Sequence, residues 1–224
     1  NNDDSDYDDD DDDDDDDEAD DLVSVASADD PVRMYLKEIG QVPLLDSNRE
    51  IWLSTHIASE RLMNELADEL ASLDRLNEDD EPEIPDSINI IRHAYQYLEK
   101  EWRDAQEMAT KLEADLPDLR DFIDEVQAIS DNWDQDRTSS VRTYFRQREW
   151  GRDEEWTAYA AKMFNVIHAI NLLPFAEQIQ LRSHYRQHSE VPGLQVFDTW
   201  LEEEDDPLDE ADYTLEQVEL RAEN

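Results

Sequence analysis

The sequence contains no cysteine, which excludes disulfides, thiolate zinc sites, iron–sulfur clusters and a cysteine nucleophile. Only three glycines and eight prolines interrupt its 224 residues. The stretches between them are rich in Leu, Ile, Ala, Glu, Gln and Arg, all good helix formers, so an all-α fold is expected. No apolar run approaches the roughly 20 residues needed to span a membrane, and the start is acidic where a signal peptide would be basic and then apolar. With the lack of cysteine, this reads as a cytoplasmic protein with no membrane partner. There is no Gly-rich phosphate loop, no elbow serine and no EF-hand spacing. Acidic side chains are so abundant that no chosen carboxylate pair is informative. No enzymatic activity, cofactor or small-molecule substrate is expected.

Basic residues are scarce as well: 19 Lys and Arg stand against 63 Asp and Glu, a formal net charge of −44. Such an excess repels a phosphate backbone and, taken alone, argues against nucleic-acid binding. Its distribution is uneven. Much of the acid lies in the leader up to Asp21, with an unbroken run from Asp8 to Asp17, and in smaller runs at Glu78 to Glu83 and Glu202 to Asp206. Residues 1–28 are expected to be a disordered acidic leader, because they cannot bury enough apolar surface to offset the entropy of ordering. Residue 1 is Asn, and helical composition persists to Asn224, so the chain is read as a piece of a longer polypeptide.

After the leader, Asp29 or Asp30 can cap a short helix carrying Pro31 in its first turn, with Gly40 as terminator. A longer helix follows Leu44-Leu45, capped by Asp46 or by a Ser47/Glu50 capping box, and runs to about Leu76 with Ile57, Leu62, Leu66, Leu70 and Leu73 at helical spacing. The acidic, proline-containing stretch from Asn77 to Asp86 reads as a loop. From Ile88 to about Leu116, an apolar stripe of Ile88, Ile91, Tyr95, Leu98, Trp102, Ala105, Ala109 and Leu112 predicts an amphipathic helix. Shorter helices are expected at Leu119–Ser130, Ser139–Arg148, Glu154–Asn171, Pro174–Gln187 and Leu194–Leu201. Glu202 to Asp209 reads as an acidic loop, and Tyr213 to Glu223 as the opening of another helix. Trp102, Trp133, Trp150, Trp156 and Trp200 supply apolar area to join these helices into one core.

Two clusters stand out. Arg137, Arg142, Arg146, Arg148 and Arg152 are interleaved with Trp133, Tyr144, Phe145 and Trp150. Within it, Arg142, Tyr144, Arg146, Arg148 and Trp150 offer a contact surface for DNA or a protein partner. The plainer reading makes the aromatics core and the arginines their covering. His184 and His188 lie four apart, as in a two-histidine metal face, but without an intervening glutamate of the zincin kind they read as a polar face, and no metal is expected.

Residues Asp30 to Leu45 read DPVRMYLKEIGQVPLL. This run closely resembles the start of conserved region 1.2 of primary sigma factors of bacterial RNA polymerase, where Asp-Pro-Val-Arg-x-Tyr-Leu or Met precedes a short helix, a glycine and a paired-leucine entry into the next helix. One departure is visible: Leu53 to Ile57 reads LSTHI, where the family usually carries a basic pair within LAKRI. The resemblance implies four segments: the leader (1–28), region 1.2-like helices (29–76), a helical variable insertion (77–207), and the start of the helix entering the core-binding region (208–224). It further implies a transcription initiation factor whose partners are core RNA polymerase, through its β′ subunit, and promoter DNA. Arg33, Tyr35 and Leu36 would then read the unpaired non-template strand at the discriminator and help hold the open complex. The guanidinium can fork onto a base edge or phosphate, and the aromatic ring can stack on a base. Met34 and Ile39 are assigned to packing. The competing expectation, drawn from charge, is an acidic all-helical interaction protein: a DNA mimic or a chaperone for basic proteins.

Overall fold

In a computed structural model, residues 34, 35, 37, 46–74, 86–131, 138–148 and 151–223 are described. They are all-α, with no strand among them. Eight helices are complete among these residues: α1 Ser47–Asp74, α2 Ser87–Lys111, α3 Leu119–Asp131, α4 Ser140–Phe145, α5 Glu154–Asn171, α6 Phe175–His188, α7 Leu194–Glu203 and α8 Pro207–Glu223. The leader, the stretch 75–85, and Trp133, Arg137 and Trp150 lie outside the described residues. The chain divides into two compact units, Asn1–Leu45 and Asp46–Asn224.

In the larger unit, α2 and α5 form the central pair. α1 and α8 pack on each other and on α2, and α1 also touches α5; α3 packs on α5 and α6, α4 on α3, and α7 on α2 and α6. The described helices before residue 75, between 86 and 203, and from Pro207 onward thus pack into one body. The α2 stripe is buried as expected: Ile91, Tyr95, Leu98, Trp102, Ala105 and Ala109 are all 3% exposed or less. It meets Trp156, Tyr159, Met163, Val166 and Ile170 of α5, which recur every three or four residues. Each such side chain contributes about 1.5–3 kcal/mol when fully buried. Polar contacts set the register. The buried Glu101 of α2 accepts from Lys162 Nζ (2.8 Å) and Asn165 Nδ2 (2.7 Å) of α5, and Tyr95 stacks on Phe197 of α7 at 3.9 Å while donating to the Pro192 carbonyl at 2.6 Å.

Several helix ends differ from expectation. α2 stops at Lys111 because Glu113 takes a left-handed conformation (φ 52°), letting Ala114 N–H bond the Ala109 carbonyl at 2.9 Å. A non-glycine terminator of this kind carries no sequence signal. α4 is confined to Ser140–Phe145, with Ser139 as its cap accepting from Arg142 N–H. α8 begins at Pro207, inside the expected acidic loop, since proline is well tolerated in a first helical turn.

Candidate nucleic-acid interface

Met34, Tyr35 and Lys37 are helical, in agreement with a helix after Pro31. Tyr35 is 61% exposed and Met34 58% exposed. The Tyr35 ring is therefore presented to solvent, as a stacking surface must be, and Met34 is not the packing residue expected of it. Arg33, Leu36 and Ile39 lie outside the described residues.

α1 begins where the motif ends. Asp46 caps it, accepting from the backbone N–H of Asn48 (2.8 Å) and Arg49 (2.9 Å), and the Arg49 N–H above all holds its carboxyl below the usual range. The face that α1 buries is not the expected leucine row. Leu62 and Leu66 are buried, but Ile57 is 44% and Leu73 53% exposed, while Trp52, Thr55, His56, Ser59 and Met63 are inside. Thr55 and Ser59 satisfy their hydroxyls locally, donating to the carbonyls of Ile51 (2.9 Å) and Thr55 (2.8 Å). Thr55 and His56 occupy the basic pair's place in the family pattern, and both are turned into the body. This turn of α1 has no basic side chain with which to meet a phosphate. Burial, and secondarily the Arg221 charge, depresses the His56 pKa to about 4.

One buried carboxylate fastens α1 to its neighbours. Glu125 of α3, 4% exposed, accepts from Trp52 Nε1 (2.9 Å), Ser139 Oγ (2.5 Å) and the Val141 backbone N–H (3.0 Å). Three donors from α1, the α4 cap and α4 thus converge on one side chain. Sequence reading missed it, because one Glu among many acids gives no signal of its own.

The arginine–aromatic cluster is partly assembled. Phe145 is buried, and Tyr144 packs against Phe145, Trp156 and Tyr159, donating to the Asp115 carbonyl at 2.5 Å and lying 2.8 Å from the Tyr159 hydroxyl. Arg148 sits over the Trp156 ring (5.1 Å to its centre) and donates to the Leu112 carbonyl at 2.8 Å, closing the C-terminal end of α2. Arg142 donates to Asn48 Oδ1 at 3.2 Å, and Arg146 is exposed. The structure therefore brings Arg142, Tyr144, Arg146 and Arg148 together, with Tyr144 half-buried against the core; Trp150 lies outside the described residues. The His184 and His188 rings lie tilted, 4.4 Å apart, beside Trp200. No group of three or more His, Cys, Asp or Glu among the described residues could hold a metal.

Among these residues no helix is long and apolar enough to cross a membrane. The described residues are all-α, with an exposed Tyr35 in helical backbone and, later in the chain, a long helix α1 tied down at Trp52. Residues 30–61 match the family model described as Sigma-70 factor, region 1.2, a match that supports a sigma-70 family member and spans both Tyr35 and the first half of α1. No curated protein and no solved structure matches the chain.

Proposed function

We propose that this chain is the amino-terminal part of a primary sigma factor, a non-enzymatic, cytoplasmic transcription initiation factor. In this reading Arg33, Tyr35 and Leu36 contact the non-template strand at the discriminator and help hold the open complex. The residues between 77 and 207 form the variable insertion and dock on core RNA polymerase at its β′ subunit. The observation that carries the reading is the region 1.2 match across residues 30–61, with an exposed Tyr35 on its helix. A base stacked on such a ring contributes about 1–3 kcal/mol, so Tyr35→Ala in the complete factor on core polymerase should shorten open-complex lifetime by about 5- to 160-fold on favourable discriminators. Core binding should be nearly unchanged. Equal loss on every discriminator sequence would make Tyr35 structural and remove the reading.

The net charge of −44 favours a second reading, an acidic interaction protein binding basic partners. It predicts tight, salt-sensitive capture of histone-like or polymerase-derived basic peptides by residues 1–21 and no promoter effect of Tyr35→Ala.

A further inference from the structure

Some arginines of this acid-rich chain are held by carboxylates. Arg92 pairs with Asp198, Arg120 with Asp118 and Arg182 with Asp124. Arg142, Arg146 and Arg148 form no ion pair with a carboxylate among the described residues, as is also true of Arg61, Arg103 and Arg186; what distinguishes these three is that they lie together. Arg142 bonds an amide, Arg148 a carbonyl and a ring face, and Arg146 is turned to solvent. All three line one groove of about 380 Å³, whose opposite wall is Ser47, Glu50 and Ile51 of α1. A second depression of about 340 Å³ continues it, sharing Glu50 and Ile51 and lined further along by Ala58 and Phe164. The result is one trough beside the first half of α1, cationic at one end and mainly apolar at the other.

We propose that this trough is a docking site for a single strand of DNA, with phosphates on Arg142, Arg146 and Arg148 and an unstacked base against Ile51 and Phe164. Charge selects a polyanion, since among the described residues that line this end of the trough three guanidiniums stand against one carboxylate, Glu50, and Asp46 bears on Arg142 only at longer range. Shape selects a single strand, since a duplex keeps its bases stacked and would leave the apolar wall without a partner. The choice of DNA rests on the sigma-factor reading, because the trough's α1 wall lies within residues 30–61, the segment matched to region 1.2. The contact is separate from Tyr35. It also replaces what the inward-facing Thr55 and His56 cannot supply: positive charge from α4 and the turn after it stands beside α1 in place of a basic pair on α1.

The test uses the 224-residue chain and a short single-stranded oligodeoxynucleotide carrying a photoreactive iododeoxyuridine, with binding followed by fluorescence anisotropy across a salt series. Three phosphate contacts should give a log–log salt slope of about −2, and each lost arginine should reduce it by about 0.7. Arg142→Gln and Arg146→Gln should each weaken binding by about three- to tenfold at low salt. Ile51→Ser should weaken it without changing the slope. Arg120→Gln, on the paired arginine of α3, should change nothing. Circular dichroism should confirm unchanged helicity in every variant, and crosslinks should map to α1 and residues 142–148.

Absence of binding at low salt, crosslinks elsewhere, or equal weakening by Arg120→Gln would overturn the proposal. So would displacement of the strand by polyglutamate as readily as by unlabelled strand, which would mark a general anion groove suited to an acidic protein. The two readings fail separately. Loss of the trough's binding beside an intact discriminator effect of Tyr35→Ala discards the trough alone; strand binding without that promoter effect discards the sigma-factor reading.

Discussion

α1 and α2 are both long helices of the same compact unit, yet they are held by different physics. α2 buries a mainly apolar face, from Ile91 to Ala109, against α5, with Glu101 its one buried charge. α1 buries Thr55, His56 and Ser59 alongside Trp52, and its first half is tied down by the Trp52 bond to Glu125. Apolar burial is non-directional and spread over many atoms, whereas a buried carboxylate with three donors concentrates its contribution at one point. The contrast teaches where control over α1 lies: in a polar node that adjoins residues proposed to meet DNA, since Trp52 follows Ile51 and Ser139 accepts from the Arg142 N–H.

Breaking the apolar helix should have the largest effect. Leu98 is fully buried in the α2 stripe, and Leu98→Ala should cost about 3–4 kcal/mol, within the usual range for a core leucine. The loss should appear as a lowered denaturation midpoint, with amide protection falling in α2 and α5 together. If protection fell only around residue 98, α2 and α5 would not be the shared centre of the fold.

The next effect comes from pH. His56 and His168 are both held near pKa 4 by burial, His56 also by the Arg221 charge. A folded pKa below the unfolded value of about 6.5 means that the unfolded chain takes up protons first as pH falls. The stability tied to neutral His56 is therefore whole above about pH 6.5 and drains away towards pH 4, by up to about 3 kcal/mol. Glu177 opposes this: burial raises it to about 7, so folding gains as pH falls from 7 towards the ordinary carboxylate range. A His56→Gln variant isolates the histidine. Its stability, from denaturant unfolding at pH 7 and pH 4.5, should fall less steeply than that of the parent; parallel curves would mean that His56 is hydrated.

Glu125→Gln should cost about 2 kcal/mol, since three donors lose an ionised acceptor and the new amide offers a single carbonyl oxygen. Its location distinguishes it from Leu98→Ala. Hydrogen exchange should quicken in residues 47–60 and around α4 while α2 stays protected. Uniform loosening would show that the node supports the whole body and is not specific to α1.

How much could be read beforehand follows the same division. α2, α5 and the stripe between them were legible because apolar periodicity is a dense, redundant signal. The short motif was legible for another reason: Pro31, Tyr35 and Gly40 are distinctive residues at distinctive spacing, and the match over residues 30–61 agrees. The α1 face was misread because its buried residues include a threonine, a histidine and a serine, which a search for leucines passes over. Glu125 was invisible, since nothing local separates a carboxylate that will accept three buried bonds from its many solvated counterparts. The left-handed Glu113 that ends α2 was equally silent.

The smallest effect sharpens the comparison from the surface side. Arg92 and Asp198 join α2 to α7 through two parallel bonds of 2.8 and 2.9 Å, the geometry expected of a strong pair. Their side chains are 42% and 24% exposed, so water already solvates both charges and competes with their attraction. Ion pairs in that setting contribute about 0.2–1 kcal/mol. Asp198→Asn should cost no more than that, and the cost should shrink as salt rises and the Debye length falls from about 10 Å at 0.1 M to about 3 Å at 1 M. The penalty of Glu125→Gln should hold across the same range, because salt does not reach a carboxylate enclosed by Trp52, Ser139 and Val141. Denaturant midpoints of both variants at low and high salt make the measurement. A salt-insensitive Asp198→Asn penalty above about 1 kcal/mol would place α7 with α1, fastened by a directional polar contact, and would leave the Tyr95–Phe197 stack a lesser share in holding it.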